Sequence, residues 1–252
     1  MSESLPSPAP PPAPAAPEKP GGFFQNLVDM YFAPREAFAR IVRDGSWILP
    51  TLGFLALTLG FLLYWGSRLD PTEFAKIQLQ ESPFYERIPA EQRETIIEQT
   101  AGRMKYLWIQ GLAGAAIMLL IVSAVLMLVF RFFYAGEVRF KRAVAITAWT
   151  FFAVSLVTTP LLLVVMGLKG DWNVNPQDVL QANLGLVLDR SSAAKPLWAF
   201  FTSLDLFSFW QIFLLAAGFG VASRKTTGAA LWGVLVPWAL VVLGKVGLSS
   251  LF

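Results

Sequence analysis

Apolar residues in this chain gather into five long blocks, at about 47–65, 107–130, 143–167, 197–222 and 228–248, separated by polar connections. The first block, WILPTLGFLALTLGFLLYW, carries no charge and has Trp at both ends. A bilayer core about 30 Å thick needs about 20 apolar residues in a helix, and Trp is the expected anchor at its boundaries. The other four blocks meet the same length. The pattern predicts an all-α membrane protein, a five-transmembrane-helix bundle. Pro50 lies in the first turn of the first span, where proline costs little. Thr158, Thr159 and Pro160 lie inside the third span and predict a kink, with the Thr hydroxyls available to freed carbonyls. Gly111 and Ala115, with Gly114 beside them, let a neighbouring helix approach the second span closely. Gly218, Gly220, Gly244 and Gly247 lie in apolar helices, where packing is the plain explanation.

The polar connections differ in kind. Residues 1–22 are dominated by Pro and Ala and predict an extended tail without a core; residues 23–252 then form one membrane domain. After the tail, Phe24, Leu27, Val28 and Tyr31 follow helical spacing and make an interfacial apolar face. Pro34 suits the first turn of a second helix. There Phe38, Ile41 and Val42 are apolar, and Arg35, Arg40 and Arg43 are polar. Such helices lie flat at a bilayer surface or pack on the ends of the spans. Residues 66–106 form a long polar connection whose second half, from Pro89, favours a solvated helix with Ile96 and Ile97 as a thin apolar stripe. In the connection after the third span, Val179 to Leu188 is apolar enough to dip into the interface.

Composition narrows the function. The chain has 55% hydrophobic residues and 15% charged residues, against about 25% charged in a soluble domain. Its net charge of +3 reflects Lys and Arg in short loops, as membrane topology requires, rather than nucleic-acid binding. There is no Cys and no His, which removes thiol chemistry, disulfides and the commonest metal ligands. No phosphate-binding Gly loop, HExxH or GxSxG is present. No catalytic residue, metal ligand or cofactor is expected, and an enzyme ranks last among the readings.

The short loops carry the orientation signal. Residues 131–142 hold four basic residues against Glu137, and the link Ser223–Thr227 holds Arg224 and Lys225. If the spans alternate, both loops lie on the side of the N-terminus, which is then cytoplasmic in a cell inner or plasma membrane. The C-terminus and the 66–106 connection lie outside. Within the spans, Asp205 lies about 12 Å from the outer edge of the fourth span, and Lys245 lies near the outer end of the fifth. A tight antiparallel link puts them in one leaflet, so an Asp205–Lys245 pair supported by Gln211 is expected. The pair serves either as a relay or ligand site or as a helix fastening.

The run NLVDMYFAPREAFARIVRDGSWILP contains Pro34, Arg35, Glu36 and Phe38, then Trp47 and Pro50 at the start of the first span. Together with IPAEQRETIIEQ and SLDLFSFWQIFLLAAGFGVASRKTTGAALWGVL, it resembles bacterial members of the Yip (Ypt/Rab-interacting protein) family over roughly residues 23–250. The resemblance implies five spans and a cytoplasmic N-terminus. Eukaryotic members associate with Rab-type GTPases, a role not expected of the bacterial branch, some of whose members sit beside export systems as accessory subunits. The function expected is a non-enzymatic scaffold or accessory subunit for another membrane complex, an exporter among the candidates, or a part in membrane organisation. Its partners would be the lipid bilayer and a second membrane protein or another copy of itself. The alternative is a small transporter or channel using Asp205.

Overall fold

The structure, a computed structural model, describes residues 22–82, 84–180 and 195–251. The Pro-rich tail before Gly22, and the part of the expected interfacial dip beyond Leu180, lie outside the described residues. The helices are α1 (Phe23–Phe32), α2 (Pro34–Asp44), α3 (Ile48–Arg68), α4 (Pro71–Glu81), α5 (Ala90–Arg103), α6 (Leu107–Phe133), α7 (Phe140–Lys169), α8 (Lys195–Ser203), α9 (Leu206–Ala222) and α10 (Thr227–Leu251).

Four helical stretches are long and apolar enough to cross a membrane: α3, the run Ala90–Phe133 in which α5 continues into α6, α7, and α10. A fifth apolar helix, α9, has 17 residues, about 25 Å. Large apolar side chains point outward along the long helices; Leu52, Ile121, Val164 and Leu240 are each more than half exposed. In water so much apolar surface would drive association; against acyl chains it is the natural exterior. The chain is a multi-pass integral membrane protein.

Two expectations about the spans change. The fourth block is not one helix. α8 ends at Ser203, and α9 begins only after Asp205, whose backbone is extended (φ −116°, ψ 153°). The Asp205 carboxylate accepts from the backbone N–H of Phe207 at 2.9 Å and of Ser208 at 3.0 Å. It therefore acts as an N-cap, satisfying amides that a helix start leaves without partners. The third block does run as a single helix through Pro160. The carbonyl left without its N–H donor by Pro160 belongs to Leu156, yet the Thr158 hydroxyl donates to Val154 at 3.1 Å. Thr158 thus does not supply the replacement expected of it.

The main core lies at one end of the bundle, between α2, the C-terminal half of α6, the N-terminal half of α7, α9 and the start of α10. Phe38, Phe130, Trp149 and Phe219 are buried there to within about one per cent exposure. The Phe130 and Phe219 rings stack at 5.0 Å. Gly218 makes this packing possible: a Cβ there would come within 2.4 Å of the Ile146 side chain and 3.0 Å of the Phe38 ring. Farther along, Gly111 admits the Leu62 side chain of α3 to 2.5 Å of where its Cβ would be. Gly114 and Gly244, by contrast, face open space. The opposite end holds a smaller cluster, with Trp65, Leu69, Phe74, Met166 and Val179 buried together. The Trp65 indole N–H donates to the Trp172 carbonyl at 2.8 Å. Beyond it project α4 and α5, and no residue of α5 is buried.

Candidate functional site

The N-terminal motif is a set of fastenings. Pro34 occupies the first turn of α2, where its fixed φ suits the helix and its missing N–H is not needed. The Arg35 guanidinium reaches across the chain to the α9–α10 link, donating to the Lys225 carbonyl at 3.2 Å and the Thr227 hydroxyl at 3.3 Å. Glu36 lies in the first turn of α2, where a carboxylate favours the helix dipole. Phe38 is fully buried. Trp47 precedes α3, and its carbonyl accepts the Thr51 hydroxyl at 2.7 Å. Pro50 is buried in the first turn. The Trp149 indole N–H donates to the Ser46 carbonyl at 2.9 Å, tying the α2–α3 elbow to α7. Three basic segments therefore meet at one end: α2 with its elbow, the α6–α7 loop and the α9–α10 link. Gly136 lies against Ser223, and Gly45 lies against Lys141. This end carries nine Lys and Arg against four acids over residues 22–46, 131–142 and 223–227.

The face expected on α1 divides in two. Leu27 and Tyr31 turn inward and pack on the core with Phe23 and Met30. The Tyr31 hydroxyl donates to the Ala153 carbonyl at 2.8 Å, and burial pushes its pKa up. Phe24 and Val28 point outward instead, in line with Phe32; they are 79%, 53% and 84% exposed. The helix is apolar on more than one side, and spacing alone does not say which side the bundle takes. Arg40 also departs from its expected headgroup-facing position. It is turned in to pair with Asp29 and donates to the Asn26 side-chain oxygen at 2.9 Å. Two sheltered polar partners outweigh solvation for this guanidinium.

Asp205 and Lys245 stand at the same level. Gly220 packs on Ala230 beside the α9–α10 turn, and each charge lies fifteen residues farther along its helix. Both line one cavity of about 470 Å³ between α7, residues 176–180, α8, α9 and α10. They form no direct ion pair: among the described residues the ion pairs are Arg40–Asp29, Arg43–Asp44 and Lys76–Glu73. The Asp205 carboxylate is instead engaged locally by the Phe207 and Ser208 amides and by the Ser208 hydroxyl. Thr158, Asp178 and Thr202 line the same cavity. Gln211 does not reach it. It lines a neighbouring apolar groove of about 270 Å³ between α6, α9 and α10. Among the described residues no group of three or more Asp or Glu is placed to hold a metal ion.

Residues 28–248 match the Yip1 domain family. The chain belongs to the Yip1 family. No curated protein and no solved structure matches it.

Within this Yip1 domain, the sequence pattern did not locate the helix break, and hence missed Thr158, Thr202, Ser208 and Asp178 as neighbours of Asp205. A signal was present in the sequence. Asp205 is a preferred N-cap residue type, set inside an apolar run where continuity is the default reading. The resulting cavity combines acids, a lysine and hydroxyls beside an apolar groove.

Proposed function

We propose that this Yip1-family protein is a non-enzymatic scaffold or accessory subunit of another membrane complex, an exporter being one candidate. Its basic end would lie in the cytoplasm and its α4–α5 hairpin outside. The observation that carries this reading is α5. It is a 14-residue helix with no buried residue, continuing through a short 3-10 turn at Met104–Tyr106 into α6. A helix so lightly packed gains little stability from its own chain, so its order and its half-buried stripe at Ile96 and Ile97 suit a surface awaiting a partner. The clustering of basic loops at the opposite end supports the orientation. The transport alternative needs Asp205 to exchange partners during a cycle, whereas its carboxylate caps the start of α9 through the Phe207 and Ser208 amides.

The chain has no Cys, so one introduced thiol is unique. Glu94→Cys and Gln99→Cys on α5, cross-linked in native membranes, should capture the same membrane protein, or a second copy of this chain. Lys141→Cys at the basic end should not. An impermeant maleimide should label the α5 thiols in intact cells and leave the Lys141→Cys variant unlabelled. Uncross-linked monomer from both α5 positions defeats the scaffold reading, and labelling of the Lys141→Cys variant alone reverses the orientation.

A further inference from the structure

The polar cavity and the apolar groove adjoin one another. They share Ser208 on α9 and Trp238 and Val241 on α10. The cavity, about 470 Å³, is of a size that small-molecule sites use, about 300–1,000 Å³, and the groove adds about 270 Å³ beside it. The polar part presents both signs of charge. The Lys245 ammonium and the Asp178 carboxylate have no ion-pair partner among the described residues. Asp205 accepts three hydrogen bonds and retains acceptor capacity, since a carboxylate offers about four lone-pair sites. The apolar part is walled by Met118, Ile121 and Val125 of α6, all outward-facing. It therefore opens on the side of the bundle that acyl chains cover.

We infer that this adjoining pair binds one phospholipid with a zwitterionic headgroup. Its phosphate would lie toward Lys245, its ammonium toward Asp205 and Asp178, and one acyl chain in the groove between α6, α9 and α10. Charge complementarity selects the head: an anion and a cation joined by a short linker match a lysine facing two carboxylates across one cavity. The adjoining groove selects the lipid over a free solute, because a solute would leave the groove's apolar wall unused. The break between α8 and α9 is what creates the polar part. An unbroken helix through residues 203–206 would place Asp205 on an apolar helix flank instead of at a helix start lining the cavity. Irregular backbone at membrane depth is tolerated where it lines such a cavity.

Native mass spectrometry of the full chain in detergent, titrated with phosphatidylethanolamine, tests this. One lipid per chain should be retained. Val125→Trp, which fills the groove from an exposed position, and Lys245→Gln, which removes the cation, should each weaken binding about tenfold or more; Lys245→Arg should retain it. Phosphatidylglycerol, which lacks the ammonium, should bind more weakly, as should glycerophosphoethanolamine, which lacks the chains. Thermal unfolding midpoints matched to the unsubstituted chain qualify each variant, and either of the two weakening variants suffices if the other does not fold. Equal retention by the qualified variants would mean surface lipid only and overturn the inference. Equal binding of glycerophosphoethanolamine would replace it with a soluble zwitterion site, and equal binding of phosphatidylglycerol would remove the role of the two acids.

Discussion

The two ends of this bundle are built on opposite principles. The basic end is packed to the limit. α2 is wedged between α7 and α9, Gly218 gives up its side chain so that Ile146 and Phe38 can close in, and Arg35 bolts the wedge to the α9–α10 link. The hairpin end holds one small cluster around Trp65, then a helix with nothing buried and a span broken at Asp205. Interiors packed to crystal-like density resist change, whereas lightly packed elements open at low cost and carry recognition. The difference assigns the roles. The basic end holds the bundle together, and on the proposed scaffold reading the hairpin end and the broken span are where the protein would meet a partner.

The sharpest way to break this comparison is to empty the basic end. Phe38→Ala should cost about 3–5 kcal/mol of unfolding free energy, as deletion of a buried aromatic does, whereas Ile97→Ala on α5 should cost less than about 1.5 kcal/mol. Equal losses, measured by unfolding in detergent, would erase the contrast. Overfilling comes next. Gly218→Ala should destabilise by about 1–3 kcal/mol, because its methyl meets Ile146 and Phe38, while Gly244→Ala, facing open space, should stay within about 0.5 kcal/mol. A tolerated Gly218→Ala would mean the wedge is looser than its geometry.

At the broken span the expected effects are smaller and more specific. Asp205→Ala should lose about 0.5–2 kcal/mol, as a missing N-cap does. Asp205→Asn should be nearly neutral in stability, because Asn caps as well as Asp. A large loss in Asp205→Asn would show that the charge, not the cap, holds the span. The smallest effect is at α1. Tyr31→Phe removes one hydrogen bond to Ala153, worth about 1 kcal/mol. Burial raises the Tyr31 pKa, so its neutral form is favoured in the folded state. That contribution is complete below the ordinary tyrosine value and is lost as pH climbs through the raised one. Tyr31→Phe should therefore flatten the alkaline limb of the stability profile, and an unchanged limb would leave Tyr31 without that role.

Much of this was legible in the chain. Four of the five apolar blocks appear as long helices within a few residues of their expected bounds, because twenty apolar residues in lipid have little choice but to satisfy their own backbone. Gly111 was read as a close-approach position, and it is one. The level match of Asp205 with Lys245 also follows from the tight basic link. Three features were not legible. Whether Phe24 or Leu27 faces the bundle depends on which side α7 offers a surface. Whether Arg40 faces lipid headgroups or Asp29 depends on how α1 folds back on α2. Whether Asp205 pairs with Lys245 or caps α9 depends on a local competition. Two backbone amides and a hydroxyl within three residues win over a lysine on another helix, since they cost no long-range ordering.

By itself, then, the sequence determined that the protein lives in a membrane, where most of its apolar helices lie, and which loops carry positive charge. Those properties are set by residue-by-residue transfer into lipid and by backbone hydrogen bonding within a segment, and neither needs a neighbour. Tertiary structure alone decided that α2 is a buried wedge rather than a surface float, that the fourth span is broken, and that the break lines a polar cavity beside an apolar groove. Those outcomes turn on which of several equally apolar faces meet, and in lipid the hydrophobic effect does not choose among them; close packing and the pairing of a few polar groups do.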